Sequence, residues 1–436
     1  STLYVVCDEV LIRTRLTWES FLSLLRASPL KILPFLLHLF RGRASAKAFA
    51  AAHGPVDPAQ LPYDEPTLAQ LRELHAQGHK LVLTTSAHEK LAAAVMEHTG
   101  IFSRCLTTRA DFHLSRDEIA AAIARDAAER GGTHSVAAIA TRSVAFGEWV
   151  KRWLRALRSH QWLKNLLLAV PLLTAHRWND PQALTSLFLA MVAFSLVASG
   201  IYVANDLVDL PSDRRHPRKR LRPFAFGAIP LLHGMLCIPV LLVAGLVLAY
   251  FVRLEFFLLV LAYIGITLAY SFVLKTYVLI DVITLAGLYT LRVIAGAAAI
   301  DVIPSFWLMA FSMFLFVSLA LIKRYAELLA VRERNAVPGR GYRVSDATVV
   351  QSLGMSTGIA AVVVFSLFLH TDEVAAAYSR PRILWLLCVG FLYWISRLWL
   401  KTLRGEMHDD PLVYAMRDRG SRYVLVASVM AVLAAE

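Results

Sequence analysis

Length, composition and charge exclude an ordinary soluble domain. The chain has 436 residues, of which 57% are hydrophobic, and its mean hydropathy of +0.55 predicts that most of it lies in lipid. The formal net charge of +13 is explained by membrane topology and anionic headgroups and does not indicate a nucleic-acid partner. The four cysteines have no CxxC spacing, which argues against a cysteine metal cluster or a disulfide framework.

Residues 1–150 are predicted to form a soluble α/β domain. Apolar runs at Leu3–Val6, Lys80–Ser86 and Ser135–Thr141 have the length of strands, and helical segments separate them. This alternation is typical of a layered α/β fold. The composition then changes, and a domain boundary is expected near residues 145–160.

The first strand and its following residues are similar to the haloacid dehalogenase superfamily of phosphatases. In that family the strand ends in Asp-x-Asp-Gly-Thr, with a nucleophile and a general acid. Placing Leu11–Thr14 on the stretch after this motif puts Val6 at the nucleophile, Asp8 at the acid and Glu9 at the glycine. Since valine cannot attack phosphorus, the resemblance implies a haloacid dehalogenase-like fold without phosphatase chemistry.

An insertion at about residues 18–51 contains many leucine and phenylalanine residues flanked by cations. An amphipathic basic helix at the membrane interface has this composition. A helical cap packed on the α/β core has it as well. The sequence leaves both interpretations open.

The remainder, residues 158–436, is predicted to form an all-α membrane bundle of eight or nine spans. The first and last apolar stretches are short, which leaves the count open. The candidate spans are Leu163–Ala175, Ala183–Ala204, Ala228–Phe251, Phe256–Leu274, Val278–Ile300, Ser305–Ile322, Thr348–His370, Ile383–Leu400 and Tyr423–Ala435.

The connections between these spans alternate in charge. One set carries 18 Lys and Arg residues and the other set carries four. Because cytoplasmic loops are the more basic ones, the first set is predicted to be cytoplasmic. Four cations at 151–158 precede the first span on the same side. The sequence therefore predicts a multi-pass protein of the bacterial plasma membrane with a cytoplasmic N-terminal domain.

The most informative motif begins where the second apolar stretch ends. Asp206, Asp209 and Asp213 stand at i, i+3 and i+7, so on a helix their carboxylates share one face with Asn205. Oxygen ligands of this kind favour a hard divalent cation whose shell is completed by phosphate oxygens. Pro211 opposes helix continuation, which predicts that Asp213 comes from a loop beyond the helix.

This region resembles the UbiA superfamily of intramembrane prenyltransferases, whose first motif is Asn-Asp-x-x-Asp at the cytoplasmic end of the second span. The basic extension Asp213–Pro223 is similar to the branch that contains decaprenyl-phosphate phosphoribosyltransferase. The second acidic motif of ordinary prenyltransferases is replaced by Lys323, Arg324 and Glu327. Further similar segments are Gln161–Asn165, Tyr270–Lys275, Leu291–Gly296, Lys323–Glu327 and Asp410–Arg419.

The resemblance implies transfer of 5-phosphoribose from phosphoribosyl pyrophosphate to a polyprenyl phosphate, with Mg²⁺ as cofactor. The alternative is transfer of a prenyl chain from its diphosphate to an apolar or aromatic acceptor. The lipid phosphate is already largely ionised at neutral pH, since its second pKa is about 6, so no general base is required. The bilayer is the other partner, and an oligomer is compatible with the sequence.

The candidate site residues fall into three groups by expected role. The metal ligands are Asn205, Asp206, Asp209 and Asp213. The residues expected to bind pyrophosphate or the 5-phosphate are Arg214, His216, Lys219 and Arg222. The residues expected to surround the lipid phosphate are Lys164, Lys275, Lys323 and Arg324. Lys275 could instead extend to the membrane interface.

Several further residues are candidates for substrate binding. Arg292 lies inside an apolar stretch, where an unpaired charge is costly, so it is expected to pair with Asp281 or Glu327. Tyr342 and Arg343 end a basic loop that could close over a phosphorylated substrate or could be a solvated connector. Asp409, Asp410 and Arg417 are expected either to brace the last cytoplasmic loop or to act in the site.

Overall fold

The computed structural model describes residues 2–109, 113–115, 118–130, 134–137, 145–330, 340–407 and 410–435. The chain divides into two compact units. The first contains residues 1–158 and 200–240, and the second contains residues 159–199 and 241–436. Two of the three boundaries between them, at 199/200 and 240/241, fall within long helices.

The N-terminal part of the first unit contains a parallel sheet, which confirms the predicted α/β region. Its strands are β1 (Thr2–Val6), β2 (Lys80–His88), β3 (Phe102–Thr108) and β4 (His134–Ala137), in the order β3-β2-β1-β4. All three neighbouring pairs are parallel, as helical crossovers require. The sequence did not predict β3. The predicted residues 138–141 of the last strand lie outside the described residues.

In the described part of residues 1–158, seven α-helices lie between or follow the strands. They are α1 (Leu16–Ala27), α2 (Ile32–Arg41), α3 (Arg43–His53), α4 (Glu65–Ala76), α5 (Glu89–Thr99), α6 (Ile119–Arg130) and α7 (Phe146–Ala156). Val5 and Leu83 are fully buried in the central strands, and Leu11 and Ile12 pack in the same core. Asp64 caps the start of α4 through the backbone amide of Thr67, which satisfies one free donor of the first turn.

The remaining helices carry the apolar stretches. They are α8 (Val170–Thr174), α9 (Pro181–Val208), α10 (Leu210–Arg215), α11 (Leu231–Val252), α12 (Leu254–Phe272), α13 (Ile280–Ala299), α14 (Phe306–Ala330), α15 (Ala347–Phe368), α16 (Asp372–Ala377), α17 (Trp385–Leu403), α18 (Pro411–Arg417) and α19 (Arg419–Ala435). Seven helices of the described residues are long and apolar enough to cross a membrane.

This number corrects the predicted eight or nine. The expected first span is instead a 3₁₀ segment, Ser159–Ala169, followed by the short helix α8 of 5 residues. The expected last span lies in α19, whose 17 residues are at the lower limit for a crossing. Pro171 lies in the first turn of α8, where its missing amide is tolerated.

Helix α13 forms the centre of the second unit and positions the 3₁₀ segment. A side chain at Gly296 would place its Cβ 2.1 Å from the carbonyl oxygen of Leu168. The glycine therefore allows two backbones to touch. At Gly287, by contrast, an added Cβ meets no atom of the described residues within 4 Å.

Candidate active site

The acidic motif of the first unit lies at the junction of α9 and α10. Helix α9 ends at Val208, Asp209 is the N-terminal cap of α10, and Pro211 lies in the first turn of the new helix. A proline in that position breaks no helical hydrogen bond. Asp213 therefore belongs to α10, which corrects the prediction that it comes from a loop.

Two of the three carboxylates are brought together by arginine. Nη1 of Arg222 lies 2.6 Å from Oδ2 of Asp213 and 3.2 Å from Oδ1 of Asp206. Arg158 forms a second ion pair with Asp206. The side chains of Asp206 and Asp213 are 3% and 1% exposed, whereas Asp209 is exposed. The structure thus forms the carboxylate pair from the first and third aspartates.

The oxygen atoms of this pair suit a divalent cation. Oδ1 of Asp213 is buried and makes no hydrogen bond to any described residue. A buried acceptor without a donor is costly, and a bound cation would satisfy it. Asn205 is half-buried one turn before Asp209. No three His, Cys, Asp or Glu side chains of the described residues converge into a complete metal site by themselves.

Arg158 was not named as a site residue by sequence reasoning. It stands three residues before the Gln161–Asn165 segment and has a positive φ of 51°, which is uncommon for a residue with a side chain. Its guanidinium lies over the ring of Tyr202, 5.1 Å from the centroid. In the sequence, the run of cations at 151–158 indicates only the topology.

Arg214 is occupied within the first unit. Its guanidinium forms two hydrogen bonds with Glu19 of α1, at 3.1 and 2.6 Å, and donates to the carbonyl of Ala225 at 3.2 Å. Both charged side chains are at most 9% exposed. In this geometry Arg214 joins α10 to α1, so its predicted contact with phosphate would require breaking a buried ion pair.

His216 and Lys219 of the same loop are exposed. Nδ1 of His216 accepts hydrogen bonds from the backbone amides of Arg218 and Lys219, at 3.2 and 3.3 Å. These bonds fix the orientation of the imidazole ring relative to the loop. Arg215 and Arg220, which sequence reasoning did not name, line a cavity of about 530 Å³ with Arg13. The basic loop therefore keeps several cations open to an anionic ligand.

The second unit contains a separate polar cluster around Asp410. Its carboxylate lies 2.7 Å from Nζ of Lys164 and 3.5 Å from Nζ of Lys323. The hydroxyl of Tyr289 donates to it at 2.9 Å. Sequence reasoning left Asp410 between a structural and a functional role and did not name Tyr289.

The electrostatics of this cluster are set by burial and by the two lysines. Burial opposes ionisation of Asp410, yet the cations of Lys164 and Lys323 hold the pKa of its carboxyl well below the usual range. Burial lowers the pKa of Lys164 to about 8, against the opposing effect of Asp410. With one carboxylate and two ammonium groups the cluster has a net positive charge, which suits an anionic ligand.

Comparison with known proteins assigns the family. Residues 166–414 match the model of the UbiA prenyltransferase family, which is more than half of the chain. The chain belongs to the UbiA prenyltransferase family. It is a membrane enzyme of that family, and its all-helical membrane part follows from the same match.

This UbiA-family chain is similar in sequence to three further proteins. The uncharacterized protein y4nM of Sinorhizobium fredii is 31% identical over 462 residues, covering 97% of this chain and 90% of its own length. The nodulation protein NoeC of Azorhizobium caulinodans is 40% identical over 286 residues, covering 63% and 92%. Decaprenyl-phosphate phosphoribosyltransferase of Mycobacterium tuberculosis is 29% identical over 287 residues, covering 65% and 93%.

The residues at the second-motif position of this UbiA-family chain form a buried ion network. Nε of Arg324 lies 2.7 Å from Oδ2 of Asp281, and both side chains are fully buried. Arg324 also pairs with Glu327, and the hydroxyl of Tyr342 donates to Asp281 at 2.6 Å. Arg340 contacts Glu327 at 3.1 Å. Arg324, Glu327 and Tyr342 therefore belong to one network, in which Arg324 binds Glu327 and Asp281 and Tyr342 binds Asp281.

Arg292 has different partners from those predicted. It donates to Asn165 at 3.3 Å, to the carbonyl of Leu288 at 2.7 Å and to the hydroxyl of Tyr263 at 3.0 Å. Asp281 and Glu327 are taken by Arg324, as described above. Arg292 therefore orients Asn165, the neighbour of Lys164, through a buried hydrogen bond.

The last two predicted residues lie at the surface of the second unit. Lys275 is half-buried in the 3₁₀ turn Leu274–Thr276, and no carboxylate of the described residues lies within ion-pair distance of it. Arg343 is exposed, and its backbone amide donates to Asp346 at 2.8 Å. Residues 331–339 of the predicted closing loop, and Asp409, lie outside the described residues.

Proposed function

We propose that the chain transfers 5-phosphoribose from phosphoribosyl pyrophosphate to a polyprenyl phosphate and releases pyrophosphate. The observation that carries this proposal is the cluster around Asp410, where one carboxylate is held between Lys164 and Lys323. A net positive group of this kind suits a phosphate monoester. A second cluster of acids, which would serve a metal-bound prenyl diphosphate, is replaced here by bases.

The named relative supports the same chemistry. Decaprenyl-phosphate phosphoribosyltransferase of Mycobacterium tuberculosis matches 65% of this chain over 93% of its own length. Its name gives the acceptor as decaprenyl phosphate and the transferred group as phosphoribose. At 29% identity this relationship supports the reaction class and leaves the length of the prenyl chain open.

The donor is assigned to the acidic motif and its basic extension. Asp206, Asp213 and Asn205 would hold Mg²⁺, and Asp209 would reach it only by a change of its exposed side chain. When bound, the cation would neutralise charge on the leaving pyrophosphate. Arg222, His216 and Lys219 bind the phosphate oxygens of the donor, and Arg158 pairs with Asp206 until the donor binds.

The acceptor phosphate is assigned to the cluster around Asp410, where Lys164 and Lys323 would bind it. In the proposed reaction an ionised oxygen of the lipid phosphate attacks ribose C1. The bond from C1 to the pyrophosphate oxygen breaks as the new C1–O bond forms, and pyrophosphate leaves with the electron pair. A single displacement inverts the configuration at C1. Arg324 is left out of this assignment because Asp281 and Glu327 bind it.

The competing function is prenyl transfer from a prenyl diphosphate, which the family model itself favours. The two reactions differ in which substrate carries pyrophosphate. Purified full-length protein in lipid nanodiscs is supplied with Mg²⁺ and either phosphoribosyl pyrophosphate plus polyprenyl phosphate, or prenyl diphosphate plus an aromatic acceptor. We expect a lipid-linked pentose phosphate and pyrophosphate from the first mixture only. Prenylated acceptor from the second mixture, with no lipid product from the first, would refute the proposal.

For the N-terminal region we propose a haloacid dehalogenase-like domain without phosphatase activity, on the cytoplasmic side. Asp8 accepts hydrogen bonds from the amides of Leu16 and Ser86, at 2.9 and 3.3 Å, and from the hydroxyl of Thr85 at 2.6 Å. These three donors hold the Asp8 carboxylate in place, and Val6 stands where the family has its nucleophile. We expect no phosphate release from lipid-linked phosphoribose. Release that Asp8→Asn abolishes would overturn this part.

A further inference from the structure

Helix α2 presents an apolar surface that its own unit does not cover. None of its residues is buried. Leu33, Leu37 and Phe40 are 65%, 62% and 90% exposed, and their i, i+4, i+7 spacing places them on one face. Leu30, just before the helix, is 80% exposed. Soluble surfaces rarely expose a contiguous apolar patch of this kind without a partner.

The opposite face of α2 is anchored to the domain. Phe35 packs on Phe21 of α1, with ring centroids 4.6 Å apart. His38 stacks on Phe49 of α3 at 4.7 Å and makes a 2.8 Å hydrogen bond with Ser45. These contacts fix the rotation of α2 about its axis. The exposed apolar face is therefore held outward by the fold.

The charge around this face has one sign. Residues 20–56 contain five cations and no Asp or Glu, and the cations are Arg26, Lys31, Arg41, Arg43 and Lys47. Lys31 precedes α2, and the exposed Arg41 and Arg43 stand at its C-terminal end. Leucines and a phenylalanine on one side with cations at both ends are the features of a helix lying in a bilayer interface. The cations favour a leaflet with anionic lipids.

The first unit also contains parts of two candidate membrane helices. The first unit includes residues 200–240, and these contain the ends of α9 and α11, two of the seven helices able to cross a membrane. The unit that carries α2 therefore contains segments that themselves contact lipid, without another protein chain. Because residues 20–56 contain no Asp or Glu, the cations of a protein partner would find no carboxylate to pair with on this segment.

We propose that α2 lies in the interface of an anionic membrane, with Leu33, Leu37 and Phe40 in the acyl region and Lys31, Arg41 and Arg43 at the headgroups. The two interpretations of residues 18–51 are then joined, since one face of α2 packs on the domain and the other enters lipid. This inference does not depend on the identity of the transferred group.

Site-directed spin labelling of the full chain in vesicles tests the proposal. The four free cysteines are first replaced, and single cysteines are then introduced as Leu37→Cys, Phe40→Cys and, on the exposed side of α4, Glu73→Cys as control. In vesicles of phosphatidylcholine and phosphatidylglycerol, we expect labels at 37 and 40 to collide with oxygen and to be shielded from a water-soluble nickel complex. The label at 73 should show the reverse.

Two results would overturn the proposal. Free access of the nickel complex to positions 37 and 40 would place α2 in water. Shielding of both positions from oxygen and from nickel would show that protein, either a second copy or another chain, covers the face. Because α2 has no buried residue, these substitutions should leave the domain folded.

A variant and a matched control test the contact of Arg41 and Arg43 with anionic headgroups. Arg41→Glu with Arg43→Glu should reduce the immersion of a label at 37 in vesicles that contain phosphatidylglycerol. Arg72→Glu, an exposed site on α4, should not change it. Equal immersion of the label in the double variant and in the parent would refute the anionic-lipid part of the proposal.

Discussion

Asp206 and Asp213 are matched in charge by Arg158 and Arg222. A buried pair of carboxylates that is already neutralised has little reason to bind a free dication. A dication that binds together with pyrophosphate is different. The pyrophosphate would form ion pairs with the two arginines, and the two carboxylates would then be free to bind the metal. Arg158 and Arg222 are about one-quarter exposed, so they can turn toward such a ligand. We therefore expect metal and donor to bind together.

Lys164 gives a prediction for pH dependence. Its pKa is lowered by burial to about 8, so its ammonium is charged below that pH and is lost as pH rises through about 8. With Lys164 holding the lipid phosphate, kcat/KM for the lipid should fall on the alkaline side. Lys164→Arg, which stays protonated, should shift this fall to higher pH in rate measurements across pH 6–10, a range of roughly two units either side of that pKa. An unchanged alkaline limb in Lys164→Arg would contradict the assignment.

At the scale of elements, the ion pair of Glu19 and Arg214 connects the N-terminal region to the acidic motif. Glu19 lies on α1 and Arg214 on α10, the helix that carries Asp213. Loss of one partner of a buried pair costs about 3–5 kcal/mol because the other charge is left unpaired. Glu19 is thus a positioning residue for the carboxylate pair.

Glu19→Gln should therefore raise the KM for the donor about 10-fold or more, with a smaller effect on the KM for the lipid. Glu65→Gln, an exposed carboxyl of α4, is the control. Steady-state kinetics with each substrate varied in turn make the comparison. An equal loss with both substrates would indicate general destabilisation instead of a local effect at α10.

Helix α13 gives a second prediction at this scale. Gly296→Ala places a methyl group against the backbone of Leu168 and should destabilise the protein by about 1–3 kcal/mol through overpacking. Gly287→Ala on the same helix meets open space and should leave the thermal midpoint unchanged or slightly raised. Thermal unfolding in nanodiscs compares the two. Equal midpoints for both variants would contradict the close approach at Gly296.

At the scale of the whole molecule, the hydropathy of the chain and the alternation of strand-like and helical segments were sufficient to predict the α/β region and the apolar helices. Composition could not show that Ser159–Ala169 is 3₁₀, because local geometry is set there by contact with α13. Strand β3 was missed because Ser103 and Arg104 interrupt its apolar pattern.

The site was predictable where it depends on local spacing. The acidic motif and its basic extension are continuous in sequence, and both lie at the junction of α9 and α10. The structure pairs Asp206 with Asp213 and leaves Asp209 exposed. This depends on Pro211 lying in the first turn of a new helix, which a single sequence does not decide. Asp410 and Lys164 are 246 positions apart, so only the fold could pair them.

The most direct test of the central claim is Mg²⁺-dependent binding of the donor to the full chain in nanodiscs. Calorimetry should show that phosphoribosyl pyrophosphate binds with Mg²⁺ and not without it. Asp213→Asn should weaken this binding by about 10- to 100-fold, and Asp209→Asn should weaken it much less. Mg²⁺-dependent binding of a prenyl diphosphate with none of phosphoribosyl pyrophosphate, or full donor affinity in Asp213→Asn, would contradict the account.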